Sequence, residues 1–270
     1  MENESLSAVQ LLVRYLEGEG VEYIFGIPGG PLMPLYEAIF DNGRIRPIIT
    51  KHEEGAAFMA DGYARVRGGL GVCCATTGPG ATNALTGVAC ARLDSIPLMV
   101  LTAQVAISAF GKGAAQESSV QGLDVVELYR SATKASLMLL SAAKTAETVQ
   151  SLLRKALTGR PGPVHLNLPA DLAKRKATPW SGRPPKEYRT QPLCFDRQAV
   201  KAACNLLIHA RRPAILAGHG VYLSRAWQEL IRLAQRLGIP VATTPKGKGV
   251  FPEDHVLSLG VLGFAGSPQA

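Results

Sequence analysis

The first 170 residues alternate between short apolar runs and amphipathic segments, a pattern typical of a parallel sheet covered by helices. Each apolar run has the length of a strand and is bounded by Gly, Pro or Ser. The sequence therefore predicts an α/β fold built on a doubly wound, six-stranded parallel sheet. The predicted strands span residues 21–25, 45–49, 70–75, 97–102, 135–140 and 164–168, and the predicted helices span 9–16, 32–40, 53–67, 81–91 and 143–157.

The alternation restarts near residue 196, after a stretch rich in Pro and basic residues. Helices are predicted over 197–209 and 225–237, and strands over 213–217 and 240–243. An alternative to an incomplete domain is a small complete one of about 75 residues, which would leave one face of its sheet bare. We expect a first domain over 1–172, a basic linker over 173–195, and the opening part of a second, incomplete α/β domain over 196–270.

The net charge of +8 raises the question of nucleic-acid binding, and its location argues against it. Six Lys or Arg side chains and one Glu lie between Lys174 and Arg189, among prolines, and no basic face with interleaved aromatic residues occurs elsewhere. This stretch is predicted to be a solvated linker.

No run approaches the ~18 apolar residues of a membrane span, and the acidic N-terminus does not resemble a signal peptide. The five cysteines form no Cys-x-x-Cys pair and are expected to be buried and reduced. Together these features predict a cytoplasmic protein that binds neither nucleic acid nor membranes.

Three glycine-containing motifs follow predicted strands of the first domain. They are Phe25-Gly-Ile-Pro-Gly-Gly30, Lys51-His-Glu-Glu-Gly-Ala-Ala-Phe-Met-Ala-Asp-Gly-Tyr-Ala-Arg65 and Thr77-Gly-Pro-Gly-Ala-Thr-Asn83. In a doubly wound sheet such turns fall at the carboxyl ends of parallel strands, where ligands bind. In this combination and spacing, the motifs resemble the pyrimidine-binding domain of thiamine-diphosphate enzymes, and within them the acetolactate synthase-like group. The resemblance covers essentially the whole chain, with the second domain similar to the first part of the family's central domain.

The resemblance implies that Glu53 is catalytic, because the family places its catalytic Glu directly after a His or an equivalent residue. A carboxyl group hydrogen-bonded to the aminopyrimidine ring promotes removal of the thiazolium proton, and it works best when it is desolvated. The small residues Gly55, Ala56 and Ala57 would let the ring pack closely. The alternative role, an acidic residue that stabilises a helix N-terminus, fits the neighbouring Glu54 well.

The resemblance also implies the remaining site residues. Gln104 and Gln116 match glutamines that line the active site of the resembled group, where a neutral amide can orient a keto or carboxylate oxygen of the substrate. Gln116 is also assigned as catalytic, and a structural role is the alternative for Gln104. The turn over 77–83 could instead be a purely structural turn or a phosphate cradle. The predicted cofactor-binding residues are Ile27, Pro28, Gly29, Glu53, Thr77, Pro79 and Asn83, and no residue is predicted to bind a metal.

The resemblance implies thiamine diphosphate as cofactor, with its diphosphate and Mg²⁺ held by a different domain through a Gly-Asp-Gly…Asn-Asn signature. This sequence lacks that signature, since its one Asp-Gly pair, Asp61-Gly62, has other neighbours. We therefore expect Mg²⁺ to be held by a domain outside this chain. FAD is a further candidate cofactor, because the stretches 243–249 and 262–266 look like the flavin-facing loops of the central domain. Ala115 stands where the group has a Phe, which implies a different or roomier acceptor pocket.

The predicted function is thus a thiamine-diphosphate-dependent 2-oxo acid decarboxylase or carboligase, a lyase or transferase of which this chain is the pyrimidine-binding portion. The chain alone is expected to be inactive. A homodimer or homotetramer is expected, because the resembled enzymes build their site between subunits. The alternative is an interaction module, either a non-catalytic homologue or the pyrimidine-type subunit of a split enzyme. Glu53 favours the enzyme, and the missing diphosphate signature favours the module.

Overall fold

In the computed structural model, residues 6–178, 185–189, 195–263 and 266–269 are described. The chain divides into two units, Met1–Gln191 and Pro192–Ala270. The predicted domain boundaries and the incompleteness of the second domain stay predictions.

The first unit contains six parallel strands in the order β2–β1–β3–β4–β6–β5, which confirms the predicted doubly wound sheet. Its strands are β1 (Tyr23–Gly26), β2 (Arg46–Ile49), β3 (Gly71–Ala75), β4 (Leu98–Gln104), β5 (Ser136–Met138) and β6 (Val164–Pro169), and its helices are α1 (Ala8–Gly18), α2 (Met33–Asn42), α3 (Glu53–Arg67), α4 (Pro79–Asp94), α5 (Val125–Ala132), α6 (Thr145–Leu157), α7 (Ala170–Ala173) and α8 (Pro185–Tyr188).

The central strands are covered by helices on both faces. Every residue of β3 and β4 is buried, as expected for the middle of a parallel sheet. Helices α1, α2 and α6 form one apolar core on the sheet, and α3, α4 and α5 form a second. The helices α3 and α4 approach each other closely, because a Cβ atom at Gly87 would lie 2.7 Å from the Cβ of Ala57. The small residues of both helices therefore serve close helix packing within the unit.

The winding of the sheet reverses between the neighbouring strands β1 and β3. The loops that follow these two strands lie at the same carboxyl edge, at the topological switch point where ligands bind in open α/β sheets. A Cβ atom at Gly26 would lie 2.4 Å from the carbonyl oxygen of Cys74, so only glycine fits at the end of β1. Helix α4 starts two residues earlier than predicted, because Gly78 adopts a φ of +57° and Pro79 takes the first helical position.

Helix α5 lies between β4 and β5, where the sequence pattern predicts no helix. Asp124 caps it by accepting a 2.9 Å hydrogen bond from the backbone N–H of Glu127. The helix buries Val125, Tyr129 and Ala132, which recur at spacings of four and three. The signal is present in the sequence, but at 8 residues the helix is too short for its pattern to stand out from a loop.

The described parts of the predicted linker hydrogen-bond to the first unit, while the basic side chains of Lys174, Arg175 and Lys176 are exposed to solvent as predicted. The backbone of 175–177 pairs with that of 6–8 through two N–H···O hydrogen bonds of 2.9 Å. Further along, the Tyr188 hydroxyl donates to Oε1 of Glu19 over 2.6 Å, and Arg189 lies 2.6 Å from Oε2 of the same carboxylate. The side chain of Glu19 is only 1% exposed, so the paired Arg and Tyr anchor this segment on the C-terminal end of α1. The rest of the predicted linker, 179–184 and 190–194, lies outside the described residues.

The second unit contains a three-stranded parallel sheet in the order β7–β8–β9. Its small core joins the inner face of one helix to the sheet and to Phe251. The first helix of this unit buries none of its residues, and Cys204 on it is exposed, so the prediction of buried cysteines is wrong for Cys204. Cys194 lies outside the described residues. The strands are β7 (Ile215–Ala217), β8 (Val241–Thr243) and β9 (Ser258–Val261), and the helices are α9 (Arg197–His209), α10 (His219–Leu223) and α11 (Trp227–Leu237).

Candidate functional site

Glu53 is the first residue of α3, and its side chain is buried with 9% of its surface exposed. The preceding residue, His52, is extended and caps the helix, because its Nδ1 accepts a 3.2 Å hydrogen bond from the backbone N–H of Glu54. Glu54 is less buried than Glu53. Of the two adjacent carboxylates at this helix start, the structure therefore turns Glu53 towards the protein interior.

Asn83 lies beside Glu53, although 30 positions separate the two residues in the sequence. Its Nδ2 donates a 3.0 Å hydrogen bond to Oε2 of Glu53. The other carboxylate oxygen, Oε1, faces the turn at Gly80, where a Cβ atom would lie 3.2 Å from it. No residue in the described part of the chain forms a hydrogen bond with Oε1. The carboxylate thus has one oxygen engaged by the protein and one available to a ligand.

The turn before α4 packs against the rest of the site through its glycines. A Cβ atom at Gly78 would lie 3.1 Å from the Cβ of Gln116, and one at Gly80 would lie 2.8 Å from Cγ2 of Thr76. The space beside both glycines is therefore filled by the chain itself. The packing of the protein therefore disfavours a larger side chain at either position, whatever ligand the turn binds.

The loop after β1 lies directly against the segment after β3. A Cβ atom at Gly29 would lie 2.4 Å from Oγ1 of Thr76, so the two loops touch through this glycine. Pro28 and Pro79 are both exposed at this edge, while Ile27 is half-buried. The predicted cofactor-binding residues of the two loops therefore lie on adjoining segments at the carboxyl edge of the sheet.

Gln116 reaches the same turn from the segment that follows β4. Its Oε1 accepts a 3.2 Å hydrogen bond from the hydroxyl of Thr77. Gln116 is exposed and has a φ of +58°, in the left-handed region that non-glycine residues seldom adopt. The structure thus brings together Glu53, Asn83, Thr77 and Gln116, which the sequence places on three separate segments.

Gln104, at the end of β4, is fully buried and its amide is engaged within the protein. Its Oε1 accepts hydrogen bonds from the backbone N–H groups of Val105 (2.9 Å) and Ser118 (3.0 Å). Its Nε2 lies 3.4 Å from Oδ1 of Asn167. In this structure Gln104 connects the segment that carries Gln116 to the sheet. These contacts correspond to a structural role, the alternative that the sequence left open for Gln104. A contact between Gln104 and a substrate stays a prediction.

Comparison with protein families identifies the family of the chain that carries this site. Residues 6–127 match the sequence model of the thiamine pyrophosphate enzyme N-terminal TPP binding domain, and residues 200–270 match that of the thiamine pyrophosphate enzyme central domain. The chain belongs to the thiamine-diphosphate enzyme family. Glu53, Asn83, Thr77 and Gln116 all lie within the first of these matches.

The relatives of this thiamine-diphosphate enzyme chain include acetolactate synthases. A probable acetolactate synthase large subunit of Methanocaldococcus jannaschii is 41% identical over 270 residues, which cover 98% of this chain and 44% of the relative. The acetolactate synthase of Mycobacterium bovis is 38% identical over 99% of this chain and 43% of its own length. The acetolactate synthase isozyme 3 large subunit of Escherichia coli is 36% identical over 99% of this chain and 46% of its own length. The chain spans less than half the length of these curated relatives and carries the N-terminal and central domains of an acetolactate synthase-like enzyme.

The residues of this thiamine-diphosphate enzyme chain fit an aminopyrimidine ring. Such a ring needs a carboxyl group that can share a proton with a ring nitrogen. Oε1 of Glu53 supplies one, since it has no partner among the described residues and lies beside a turn whose Pro79 is exposed. Pro28 is exposed, and the half-buried Gly29 beside it contacts Thr76 just before that turn, which gives a flat ring two adjoining loops to pack on.

Tyr129 is a residue of this site region that the sequence does not indicate, because the helix that carries it is not predicted. It is buried, and its hydroxyl donates a 2.6 Å hydrogen bond to the carbonyl oxygen of Ala81 in the first turn of α4. Burial raises the pKa of Tyr129 well above its ordinary value, and nearby Cys73 and Glu53 raise it further. The hydroxyl therefore keeps its proton and holds the start of α4 in place.

A line of buried polar side chains crosses β4, β6 and β5 behind the site. Nδ2 of Asn167 donates to the hydroxyl of Thr102 (2.8 Å), which lies 2.7 Å from Nε2 of His165. On the other side of the ring, Nδ1 of His165 lies 2.7 Å from Ser136, whose hydroxyl donates to the carbonyl of Val126 (2.6 Å). These directions assign Nδ1 as the protonated nitrogen and Nε2 as an acceptor. Burial lowers the pKa of His165 to about 3, so the ring is neutral, and its contacts give this histidine a structural role.

In the second unit, the loops after β7 and β8 also meet at a carboxyl edge. A Cβ atom at Gly247 would lie 2.5 Å from the carbonyl oxygen of Ala217, so the loop after β8 crosses closely over the end of β7. Nδ1 of His219 lies 3.1 Å from the carbonyl oxygen of Lys246, and its Nε2 is buried without a hydrogen-bond partner in the described part of the chain. This orphaned nitrogen fits the polar group of a ligand. Of the predicted flavin-facing stretch 262–266, residues 264 and 265 lie outside the described residues.

Among the described residues, no group of three or more His, Cys, Asp or Glu side chains has the arrangement of a metal site. In the part of the chain that the structure describes, no helix is both long and apolar enough to cross a membrane.

Proposed function

We propose that this chain supplies the pyrimidine-binding part of a thiamine-diphosphate-dependent 2-oxo acid decarboxylase or carboligase of the acetolactate synthase type. The observation that carries the proposal is the Glu53 carboxylate, buried at the start of α3 with Oε2 held by Asn83 and Oε1 beside the turn at Gly80. The similarity to acetolactate synthases supports the reaction class. Thiamine diphosphate, when bound, supplies the nucleophilic carbon and the electron sink that 2-oxo acid chemistry requires.

Glu53 acts as a proton-sharing group. Because Oε2 accepts a hydrogen bond from Asn83, a proton on this carboxyl resides on Oε1, where it can be shared with a ring nitrogen. Its burial strengthens such a hydrogen bond, since few water molecules compete for the same atoms. Residues 27–29 on one side, with Thr77 and Pro79 on the other, hold the ring against Glu53.

Gln116 is the proposed substrate-binding residue. Its amide is held at the turn by Thr77 and is exposed at the carboxyl edge. A neutral amide at this place can donate to a keto or carboxylate oxygen of a 2-oxo acid and so orient it for reaction.

We propose that the metal and the flavin bind outside the pyrimidine-binding unit. We place Mg²⁺ and the diphosphate on a domain outside these 270 residues. For FAD, the carboxyl edge of the second unit is the proposed site, with Nε2 of His219 as a hydrogen-bonding group for it. Visible flavin absorbance that remains with the purified holoenzyme tests this part of the proposal.

The deciding experiment replaces Glu53 by Gln in the holoenzyme, assembled from this chain and the diphosphate-binding domain. The amide keeps the size of the side chain and can still hydrogen-bond, but it has no carboxyl proton to share. Proton exchange at C2 of bound thiamine diphosphate, and turnover with it, should slow by roughly 10²–10⁴-fold, the range of a positioned acid–base group. Thermal unfolding should be nearly unchanged.

Glu54→Gln is the matched control, because it removes the adjacent carboxylate at the same helix start. Glu54 interacts favourably with the helix dipole by only about 0.3–1 kcal/mol, so its loss should change turnover little. Equal effects of the two substitutions, or a larger effect of Glu54→Gln, would show that the catalytic carboxyl is assigned wrongly. A wild-type holoenzyme without any proton exchange at C2 would instead support the interaction module.

A further inference from the structure

Gln116 occupies an unusual backbone conformation that the surrounding structure must maintain. Its φ of +58° makes it one of three non-glycine residues with positive φ in the described part of the chain, with Ser95 and Arg225. A residue of this kind stays in the left-handed region only where neighbouring contacts over-determine it. The contacts around Gln116 therefore show what keeps its side chain at the turn.

Ser118 supplies two of these contacts with a single hydroxyl group. Its Oγ accepts a 2.7 Å hydrogen bond from the backbone N–H of Gly78 and donates over 3.2 Å to the backbone carbonyl of Gln116. The residue is 1% exposed, so water does not replace either bond. One buried hydroxyl thus joins the turn that begins α4 to the backbone of Gln116.

The backbone of Ser118 is in turn fixed to the sheet. Its N–H donates a 3.0 Å hydrogen bond to Oε1 of Gln104, which is fully buried at the end of β4. Nε2 of Gln104 lies 3.4 Å from Oδ1 of Asn167 on β6. The position of Ser118 is therefore set by two central strands and not by the exposed segment in which it lies.

We propose that Ser118 is a positioning residue that holds the side chain of Gln116 at the turn over 77–80, where it meets the substrate. This inference rests on the proposed function, because it assigns Gln116 to the 2-oxo acid. Ser118 itself touches neither substrate nor cofactor. Its hydroxyl acts mainly through Gln116, whereas the Glu53 carboxylate is held by Asn83.

The test is Ser118→Ala in the holoenzyme. The substitution leaves the N–H of Gly78 buried without an acceptor and releases the carbonyl of Gln116. We expect kcat/KM for a 2-oxo acid to fall roughly 10- to 100-fold, the loss typical of a buried polar group that loses its partner. Proton exchange at C2 of thiamine diphosphate should fall by much less than kcat/KM, because Glu53 is held by Asn83 and not by Ser118. Ser118→Cys, whose thiol is a weaker hydrogen-bonding group, should lose less.

Two controls separate positioning from a general loss of structure. Ser108→Ala removes an exposed hydroxyl from the same segment and should leave kcat/KM unchanged. In a Gln116→Ala background, Ser118→Ala should cause no further loss, because the side chain on which it acts is already gone.

The remaining outcomes would contradict either the role of Ser118 alone or the proposed function as a whole. Additive losses of Ser118→Ala and Gln116→Ala, proton exchange that falls as steeply as kcat/KM, or a Ser118→Ala enzyme with wild-type kcat/KM would each overturn the positioning role alone. A wild-type holoenzyme that exchanges the C2 proton but converts no 2-oxo acid would overturn the proposed function and this role with it.

Discussion

Asn83 decides which oxygen of Glu53 a ligand can reach. Its Nδ2 donates to Oε2, and the amide lies on a different helix from the carboxylate, so the pair links the starts of α3 and α4. A hydrogen bond to a charged group is stronger than one between neutral groups, and its loss leaves a buried oxygen without a partner. The catalytic geometry of Glu53 therefore depends on a neighbour that has no acid–base chemistry of its own.

Replacing Asn83 tests this dependence. Asn83→Ala should slow C2 proton exchange by roughly tenfold, because it removes one charge-assisted hydrogen bond. Asn83→Asp has nearly the wild-type shape, yet it should slow exchange by more, roughly 10²-fold, because two carboxylates in contact share one proton. Exchange in Asn83→Asp equal to or faster than in Asn83→Ala would contradict this account. Thr86→Ala, an exposed position on the same helix, is the control.

At the scale of the elements, the buried polar line connects strands β4, β6 and β5 through side chains as well as backbone. His165 is its centre, with Thr102 on one side and Ser136 on the other. The hydrogen bonds of this line all run in one donor-to-acceptor direction, with Thr102 donating to Nε2 of His165. The line therefore fits the neutral imidazole, and a second proton on Nε2 would have no free acceptor. The strand arrangement is therefore coupled to the protonation state of one histidine.

This coupling makes the free energy of unfolding depend on pH. The pKa of His165 falls from its ordinary value of 6.5 to about 3 on folding. Between these two pH values the unfolded chain thus binds more protons than the folded chain. The stability that the neutral His165 ring contributes is therefore present above about pH 6.5 and is lost as the pH falls towards about 3. We expect a loss of about 1.4 kcal/mol per pH unit in that window, measured by denaturant unfolding.

In the His165→Gln variant, the free energy of unfolding should no longer show this part of its pH dependence. The His209→Gln variant, which changes an exposed histidine, should still show it. In the wild-type protein, the NMR signals of the His165 ring should not titrate between about pH 8 and about pH 5. A ring that titrates in that range would show that the imidazole is not held neutral by its surroundings.

At the scale of the whole molecule, the outer face of α3 exposes large apolar side chains close to the site. Phe58 and Met59 follow Glu53 by little more than one helical turn, and both are exposed. Exposed apolar patches beside a functional site are typical of protein interfaces. We propose that a second copy of the enzyme packs here and that the enzyme is a homodimer or homotetramer, as the family resemblance implies.

Met59→Glu tests this assembly. Met59 is 50% exposed, so the substitution should leave the fold intact, but it places an unpaired charge in the proposed interface. Dimerisation should weaken by at least roughly 100-fold, seen by light scattering as a shift towards the monomer mass. Phe40→Glu, on α2 at the opposite face of the sheet and 85% exposed, should not change the mass. A wild-type enzyme that is monomeric at high concentration would contradict the proposal.

The sequence by itself determined the elements that have strong local signals. The six strands and the start of α3 at Glu53 follow from apolar periodicity and from backbone preferences that act within a few residues. The short helix α5 lacked such a signal, and with it Tyr129 was missed. The edge of the sheet that carries the site also follows from sequence, because parallel strands align their carboxyl ends.

Only the tertiary structure decided which side chains meet at that edge. The contact of Asn83 with Glu53, the burial of Gln104 and the hydroxyl of Ser118 between Gly78 and Gln116 join segments 14 to 40 positions apart. No local pattern encodes such distances, because they depend on how far each strand and helix projects once the sheet has formed. For the same reason, the packing of Gly78 against Gln116 and of Gly80 against Thr76 becomes visible only in the folded chain. Local chemistry thus placed the elements, and long-range packing set the geometry between them.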